Sequence, residues 1–179
     1  MTDWTLTEAS LDDAAAVAAI YAHHVLHGAA SWEQTAPTTS EMAARMARVL
    51  DAGWPWLLAK DQAGATVGYA YAAQFNPRAG YRHTCEDSIY LRHDMVGRGL
   101  GTRLLTALMT RCEALGFRQM VAGMSGSEPG SMALHARAGF VEVARMPNVG
   151  RKFGRWLDLV YMQRALGPGA GSAPAVEPA

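Results

Sequence analysis

Apolar and polar positions change their rhythm along the chain, and each change marks an element. Residues 3–9 alternate weakly and read as a short strand. Ser10 stands where a helix N-cap belongs, followed by Asp12 and Asp13 in a first turn whose dipole favours anions. Apolar residues then recur at Ala16, Ile20 and Leu26, which predicts a helix reaching about Gly28. A loop carries Ser31, Trp32 and Pro37. Thr39 and Ser40 open a second helix, with Met42, Met46 and Leu50 on one face and Gly53 as its stop.

Strand signals follow. Residues 54–60 and 67–75 are two runs separated by a polar, turn-like stretch, and they predict a hairpin. Pro77 to Gly80 interrupts the pattern, and Thr84–Leu91 reads as a third strand. Residues 97–101, Gly-Arg-Gly-Leu-Gly, open the best helix in the chain. Leu104, Leu105, Leu108, Met109, Cys112 and Leu115 make its apolar face, and Gly116 closes it. Residues 119–124 predict a strand, and 131–138 a short helix with Pro129 near its start and Gly139 as its cap. Residues 140–144 and 156–163 are the last strands. The order is β, α, α, three β, α, β, α, two β. It predicts one mixed α/β (α+β) domain over 1–166 with a single central sheet. Residues 167–179 are rich in Gly, Pro and Ala and are expected to form a disordered tail.

Composition narrows the class. The chain has 179 residues, which suits one domain, and half of them are hydrophobic, which excludes a disordered or coiled-coil chain. Sixteen basic residues balance sixteen acidic ones, which removes the electrostatic case for nucleic-acid or anionic-membrane partners. No apolar run approaches the ~18 residues of a membrane span. Residues 1–10 are polar and acidic, unlike a signal peptide, so a cytoplasmic protein is expected. In that setting Cys85 and Cys112 read as reduced core thiols, a structural bridge between them being the alternative.

Three groups could carry chemistry. The glycine cluster lies between a strand and a helix, where backbone N–H groups face outward and glycine lets an anion come close. Arg98 and Arg103 could add charge there. The cluster therefore points to phosphate or pyrophosphate, the alternative being a turn with no ligand. It is not a Walker A loop, because Gly101-Thr102-Arg103 stands where Gly-Lys-Ser/Thr is needed. Nor is it a dinucleotide fingerprint, because the third glycine position holds Thr102 or Leu104.

The second group is Glu86–Asp87, inside a strand that disfavours carboxylates. Neighbours in a strand point to opposite faces, so only one can serve a given cleft. A half-buried carboxylate there suits a general base, and a salt bridge to Arg78 or Arg82 is the alternative. The third group is histidine. His23 and His27 have i, i+4 spacing but no evident third ligand, so no metal is expected. His135, on the short helix, is a candidate acid or a packing residue.

Together these segments resemble the GNAT acetyltransferase superfamily, and within it the phosphinothricin and methionine sulfone/sulfoximine N-acetyltransferases. The resemblance runs from about residue 5 to 166. It is carried by Tyr69-Ala70-Tyr71-Ala72, by Thr84-Cys85-Glu86-Asp87-Ser88-Ile89-Tyr90-Leu91, and by the stretch from Gly97 to Thr102. Leu134-His135, Gly139-Phe140 and the run from Val149 to Asp158 complete it, the last being the most specific to this subgroup.

The resemblance implies acetyl-CoA as donor and a primary amine as acceptor. Gly97, Arg98, Gly99, Leu100, Gly101 and Thr102 would then hold the pyrophosphate. The backbone of Ile89, Tyr90 and Leu91 would pair with the pantetheine arm like an added strand, with a backbone N–H there for the oxyanion. Glu128 and Ser131 fall on the cofactor side of the short helix. Glu86 is the family's proposed base, and His135 stands where many members carry a tyrosine acid. A glutamate-like acceptor would lie between Asn76, Pro77 and Arg78 on one side and Glu86, Asp87 and Ser88 on the other. Arg78 and Arg82 would grip its acidic groups as forks, and Trp32 would wall the pocket. Lys152 and Phe153 would come from the partner in a homodimer.

Three departures stand out, one being that Asn76-Pro77-Arg78 matches the family's variable substrate loop only in part. Val96 replaces the usual Gln or Arg before the glycines, and Glu128 replaces an Asn, which removes a donor. The expected activity is detoxification of glutamate-like antimetabolites, an antibiotic or herbicide resistance. The alternatives are acetylation of another small amine or a protein N-terminus, and an acyl-CoA-binding sensor of low turnover.

Overall fold

A computed structural model describes residues 4–174. The element order is the one the hydrophobic pattern predicts: β1 (Thr5–Glu8), α1 (Ala14–His27), α2 (Thr39–Asp51), β2 (Trp56–Lys60), β3 (Thr66–Gln74) and β4 (Thr84–Leu91), then α3 (Leu100–Ala114), β5 (Gln119–Ser125), α4 (Pro129–Arg137), β6 (Val141–Lys152) and β7 (Arg155–Ala165). The seven strands form one sheet in the order β1-β2-β3-β4-β5-β7-β6. Every pair is antiparallel except β4 with β5, which run parallel.

The sheet has a core on each face, and β2 explains how. Its run Trp56-Leu57-Leu58-Ala59 is apolar throughout because both of its faces are covered. Trp56 and Leu58 join Val17, Ile20, Val25, Met42 and Met46 under α1 and α2. Leu57 and Ala59 join Leu100, Leu104, Leu105, Leu108 and Cys112 of α3 on the other side. The predicted α3 stripe is therefore a buried seam from Leu104 to Cys112, with Cys85 and Cys112 in it as free thiols, while Leu115, expected on the same face, follows the helix end and is exposed.

Local signals hold with small shifts. Ser10 opens a 3₁₀ turn at Leu11–Asp13 rather than α1 itself, and the Asp13 carboxylate accepts its backbone N–H at 2.9 Å. The α2 cap is Thr38, one residue before the expected start; its hydroxyl accepts the Glu41 N–H at 3.2 Å.

The largest difference is β6. The pattern predicts a strand over 140–144, but β6 continues to Lys152 and forms a hairpin with β7. Two register shifts, at Glu142/Ala144 and Met146/Gly150, break the two-residue alternation that would have announced it. The strand is also an edge, exposed on most of its length, so its polar residues carry no burial signal. Residues 167–174, placed in a disordered tail by composition, form turns against the domain. The Leu166 N–H donates to the Arg118 carbonyl at 3.0 Å, and the Arg118 guanidinium donates to the Gly169 carbonyl at 3.2 Å. Residue 3 of the first expected strand and residues 175–179 of the tail lie outside the described residues. No helix among the described residues is long and apolar enough to cross a membrane.

Candidate functional site

The site begins where β4 and β5 part. They pair over four positions only, from Thr84↔Gln119 to Asp87↔Ala122. Beyond that point β4 stays with β3 as far as Leu91, while β5 stays with β7. Alternate residues of an antiparallel strand bond to its partner. The Phe75 N–H donates to Thr84 O and the Arg92 N–H to Val67 O, both at 2.9 Å, so even-numbered residues of β4 serve β3. Ile89 and Leu91 consequently turn their backbone groups into the gap. His24 of α1 reaches in and donates from Nε2 to the Leu91 carbonyl at 2.7 Å.

The gap opens into a cleft of about 750 Å³. One end is the N-terminus of α3. Gly97 and Gly99 take left-handed φ values of 77° and 85°, which turns the chain so that Gly99 caps the helix and its first N–H groups stay uncommitted. A Cβ at Gly101 would lie 3.2 Å from Leu134 Cδ2, so the Leu134 side chain of α4 packs directly on the backbone of α3. Val96, Gly97, Gly99, Gly101 and Thr102 line the cleft, and the helix end offers an anion both N–H donors and dipole. Leu100 points into the core instead, and Arg98 is exposed outside the lining. Arg103 is also elsewhere: its guanidinium stacks on Trp4 and donates to the Trp4 carbonyl at 3.1 Å.

The other end holds the titratable groups. Glu86 and Asp87 point to opposite faces of the sheet, as strand geometry requires. Glu86 shares its face with Ser88 and Tyr90. Its Oε1 hangs over Gly123 of β5, where a Cβ would lie only 2.9 Å away, and the Tyr161 ring of β7 crowds the same spot at 3.1 Å. Gly123 itself is exposed and lines the cleft, as does Ser88, so the Glu86 carboxyl, which is not part of the lining, stands at the seam beside it. Burial, and after it the Asp87 charge, push Glu86 above the ordinary carboxyl value of 4.5. Tyr161 and Gly123 were not visible as site residues in the sequence, because only the strand register brings 86, 123 and 161 together.

Asp87 lies with α4. Its Oδ2 is 3.0 Å from His135 Nε2, and the two side chains are only 1% and 3% exposed. His135 Nδ1 is 2.8 Å from the Ser131 carbonyl and donates to it. Burial pulls the imidazole down, but the Asp87 hydrogen bond and charge outweigh it and hold His135 above 6.5. Asp87, His135 and Ser131 all line the cleft.

Of the remaining expected residues only Glu128 lines the cleft; Arg82 lines a separate pocket with His83, Phe117 and Arg118. Trp32 is partly exposed and packs over Gly150 of β6, where a Cβ would collide with its ring. The loop behind it is fixed by Tyr21, whose hydroxyl donates to Glu33 at 2.8 Å, and by Arg45, which grips Glu33 with two nitrogens at 2.6 and 3.1 Å. Lys152 is buried within its own chain; its Nζ donates to the Gly28 and Ser31 carbonyls at 2.8 and 2.6 Å. Phe153 is exposed at the hairpin tip with φ 48°. Glu128 lines the cleft but accepts the Ala29 N–H at 3.0 Å, so its carboxylate anchors the same loop that Lys152 holds. Asn76, Pro77 and Arg78 form the turn between β3 and β4, where Asn76 Oδ1 accepts the Arg78 N–H at 3.1 Å. Arg82 donates from Nε to the Ala79 carbonyl at 2.7 Å. Phe75 of that region stacks edge-on against Tyr161, which ties the turn to the Glu86 side of the sheet. Among the described residues no three His, Cys, Asp or Glu side chains converge as metal ligands.

Comparison with known proteins agrees with this geometry. Residues 6–161 match the family model of the acetyltransferase (GNAT) domain. The chain is 48% identical over 164 residues to a phosphinothricin N-acetyltransferase of Alcaligenes faecalis, covering 91% of this chain and 83% of that one. It is 40% identical over 170 residues to an L-methionine sulfoximine/L-methionine sulfone acetyltransferase of Pseudomonas paraeruginosa, covering 95% and 98%. Among solved structures, a GNAT superfamily phosphinothricin acetyltransferase from Sinorhizobium meliloti in complex with AcCoA superposes with a TM-score of 0.94. It is 45% identical, with 98% of this chain and 94% of that one covered.

Proposed function

The chain belongs to the GNAT acetyltransferase family, and from that premise we propose that it acetylates the amino group of a small glutamate-like amino acid of the phosphinothricin or methionine sulfone/sulfoximine type. Acetyl-CoA is the acyl donor, and when bound it supplies an activated acetyl thioester. The residues present fit it. The exposed edge of Ile89 and Leu91 suits an extended amide-bearing arm, and the N-terminus of α3 suits its phosphates. The freely turned N–H of Ile89 or Leu91 is a donor for the charge that develops on an acyl oxygen.

The observation that carries the reading is Glu86, a half-buried carboxyl with a raised pKa at the seam that opens into the cleft. An amine attacks only when it is neutral. Glu86 is the group that takes the ammonium proton, directly or through a water. Its raised pKa makes it a stronger acceptor than an exposed carboxylate. Trp32, Ser88 and Tyr161 wall the acceptor side. Arg78, at the β3–β4 turn, is the group for the acceptor's acidic end, whose bidentate geometry matches a guanidinium.

The same reading makes the enzyme a homodimer. The outer hairpin presents Val141, Val143, Met146, Val149, Phe153 and Trp156 to solvent, an apolar stripe suited to a second copy. It acts in the cytoplasm, and its biological outcome is resistance to antimetabolites of this class.

The test is thiol release from acetyl-CoA with methionine sulfone, methionine sulfoximine, phosphinothricin and simple amines. Turnover is expected on the first three, and Glu86→Gln is expected to lower it by roughly 10²- to 10⁴-fold. Silence across the amino acids with acetyl-CoA still bound, or a Glu86→Gln variant at the wild-type rate, would overturn the reading.

A further inference from the structure

The Asp87–His135 pair does not behave as an acid aimed at the cleft. Both ring nitrogens of His135 are already committed, Nδ1 to the Ser131 carbonyl and Nε2 to Asp87 Oδ2. The imidazole has no nitrogen left for a ligand. The uncommitted atom of the pair is Asp87 Oδ1, which is buried and has no hydrogen-bond partner. Leaving a buried carboxylate oxygen unpaired is costly, and native structures seldom do so without a reason. Here the residue lines the cleft, one position along β4 from Glu86.

We infer that Asp87 is a cofactor-contacting residue: its Oδ1 accepts a hydrogen bond from a donor at the thiol end of bound acyl-CoA, and His135 is the positioning residue that holds it there. This rests on the reading that acyl-CoA occupies the cleft. The phosphate end is excluded as the partner, since a carboxylate repels it and the donors of α3 lie at the opposite end. Two groups at the thiol end share the required chemistry. One is the amide N–H nearest the sulfur, present in acetyl-CoA and CoA alike. The other is the S–H of released CoA. His135, held charged by its two acceptors, keeps the carboxylate from rotating and leaves Oδ1 facing the ligand.

The experiment is calorimetric binding of acetyl-CoA, CoA and desulfo-CoA to the full chain and its variants. Asp87→Ala is expected to weaken binding by roughly 10- to 100-fold, the scale of a hydrogen bond to a charged group. Equal losses for all three ligands identify the amide N–H; a loss confined to CoA identifies the S–H. Asp87→Asn keeps an acceptor oxygen, and its NH₂ can donate to a neutral His135, so it is expected to recover most of the affinity. A purely structural role would lower the ligand-free thermal melt in step with affinity, and both would recover in Asp87→Ala/His135→Phe, which strands neither partner; a lost ligand contact leaves the affinity low in that double variant. Should Asp87→Ala strand the imidazole and unfold, the double variant Asp87→Ala/His135→Phe removes both partners and serves in its place. Wild-type affinity for all three ligands in the folded variant overturns the inference. A wild-type chain that binds none of the three overturns the cleft reading itself.

Discussion

Gly123→Ala tests whether the seam over β5 positions the base. A methyl there would lie 2.9 Å from Glu86 Oε1 and 3.1 Å from Tyr161 Cε1. Ordinary contact is about 3.5 Å, so the carboxyl must retreat by roughly 0.6 Å and the ring by roughly 0.4 Å. The ring is braced by Phe75, while the carboxyl ends a flexible side chain, so Glu86 takes most of the displacement. Misplacing a catalytic group by about 1 Å can cost about 10²-fold, so kcat is expected to fall roughly 10- to 50-fold. The backbone itself is not strained, because Gly123 is not among the positive-φ glycines. Overpacking of this kind costs about 1–3 kcal/mol, which is roughly 2–12 °C in Tm for a chain of this size. The assay is steady-state thiol release with acetyl-CoA binding measured in parallel. A lowered kcat with near-normal cofactor affinity is expected. A kcat within about twofold of wild type in a folded variant would refute the positioning argument.

The raised pKa of Glu86 sets a direction for pH dependence. As a base it works only when ionised, so kcat/KM should rise with pH through an acidic limb centred above 4.5. Because the Asp87 charge contributes to the rise, Asp87→Asn should move that limb to lower pH; a limb that stays in place in a pH–rate profile counts against the assignment. Gly150→Ala puts a methyl where the Trp32 ring lies, and is expected to raise KM for the amino-acid acceptor and change tryptophan emission while leaving acetyl-CoA affinity alone. Lys152→Met leaves two carbonyls of the Gly28–Ser31 loop without their donor. It should cost about 2–3 kcal/mol, a fall of roughly 4–12 °C in a thermal melt; an unchanged melt would show that the loop finds other donors.

The sequence carried the element order because each interior element states its burial plainly. The apolar stripe of α3 and the unbroken run of β2 could each be placed in only one way. The Glu86–Asp87 split was legible too, since neighbouring strand residues cannot share a face. What the sequence did not disclose depends on register. The bulges of β6 hid its second half, and Lys152, which the family resemblance gives to a partner, is buried by a loop more than a hundred positions away in its own chain. Tyr161 carries no motif and meets Glu86 only through the pairing of β5 with both β4 and β7. Glu128 read as a mismatch toward the cofactor, whereas its carboxylate has a backbone N–H of its own to satisfy.

The four-position contact between β4 and β5 leaves the sheet as two half-sheets, β1–β4 and β5–β7, sewn together at one end. A ligand lying along the open end braces them. Cofactor binding and folding then become a single equilibrium: at a hundred times its Kd, acyl-CoA adds about 2.7 kcal/mol of stability. The folded lifetime of the enzyme is thereby coupled to the supply of its own donor, with the donor-starved chain the one most exposed to unfolding and proteolysis.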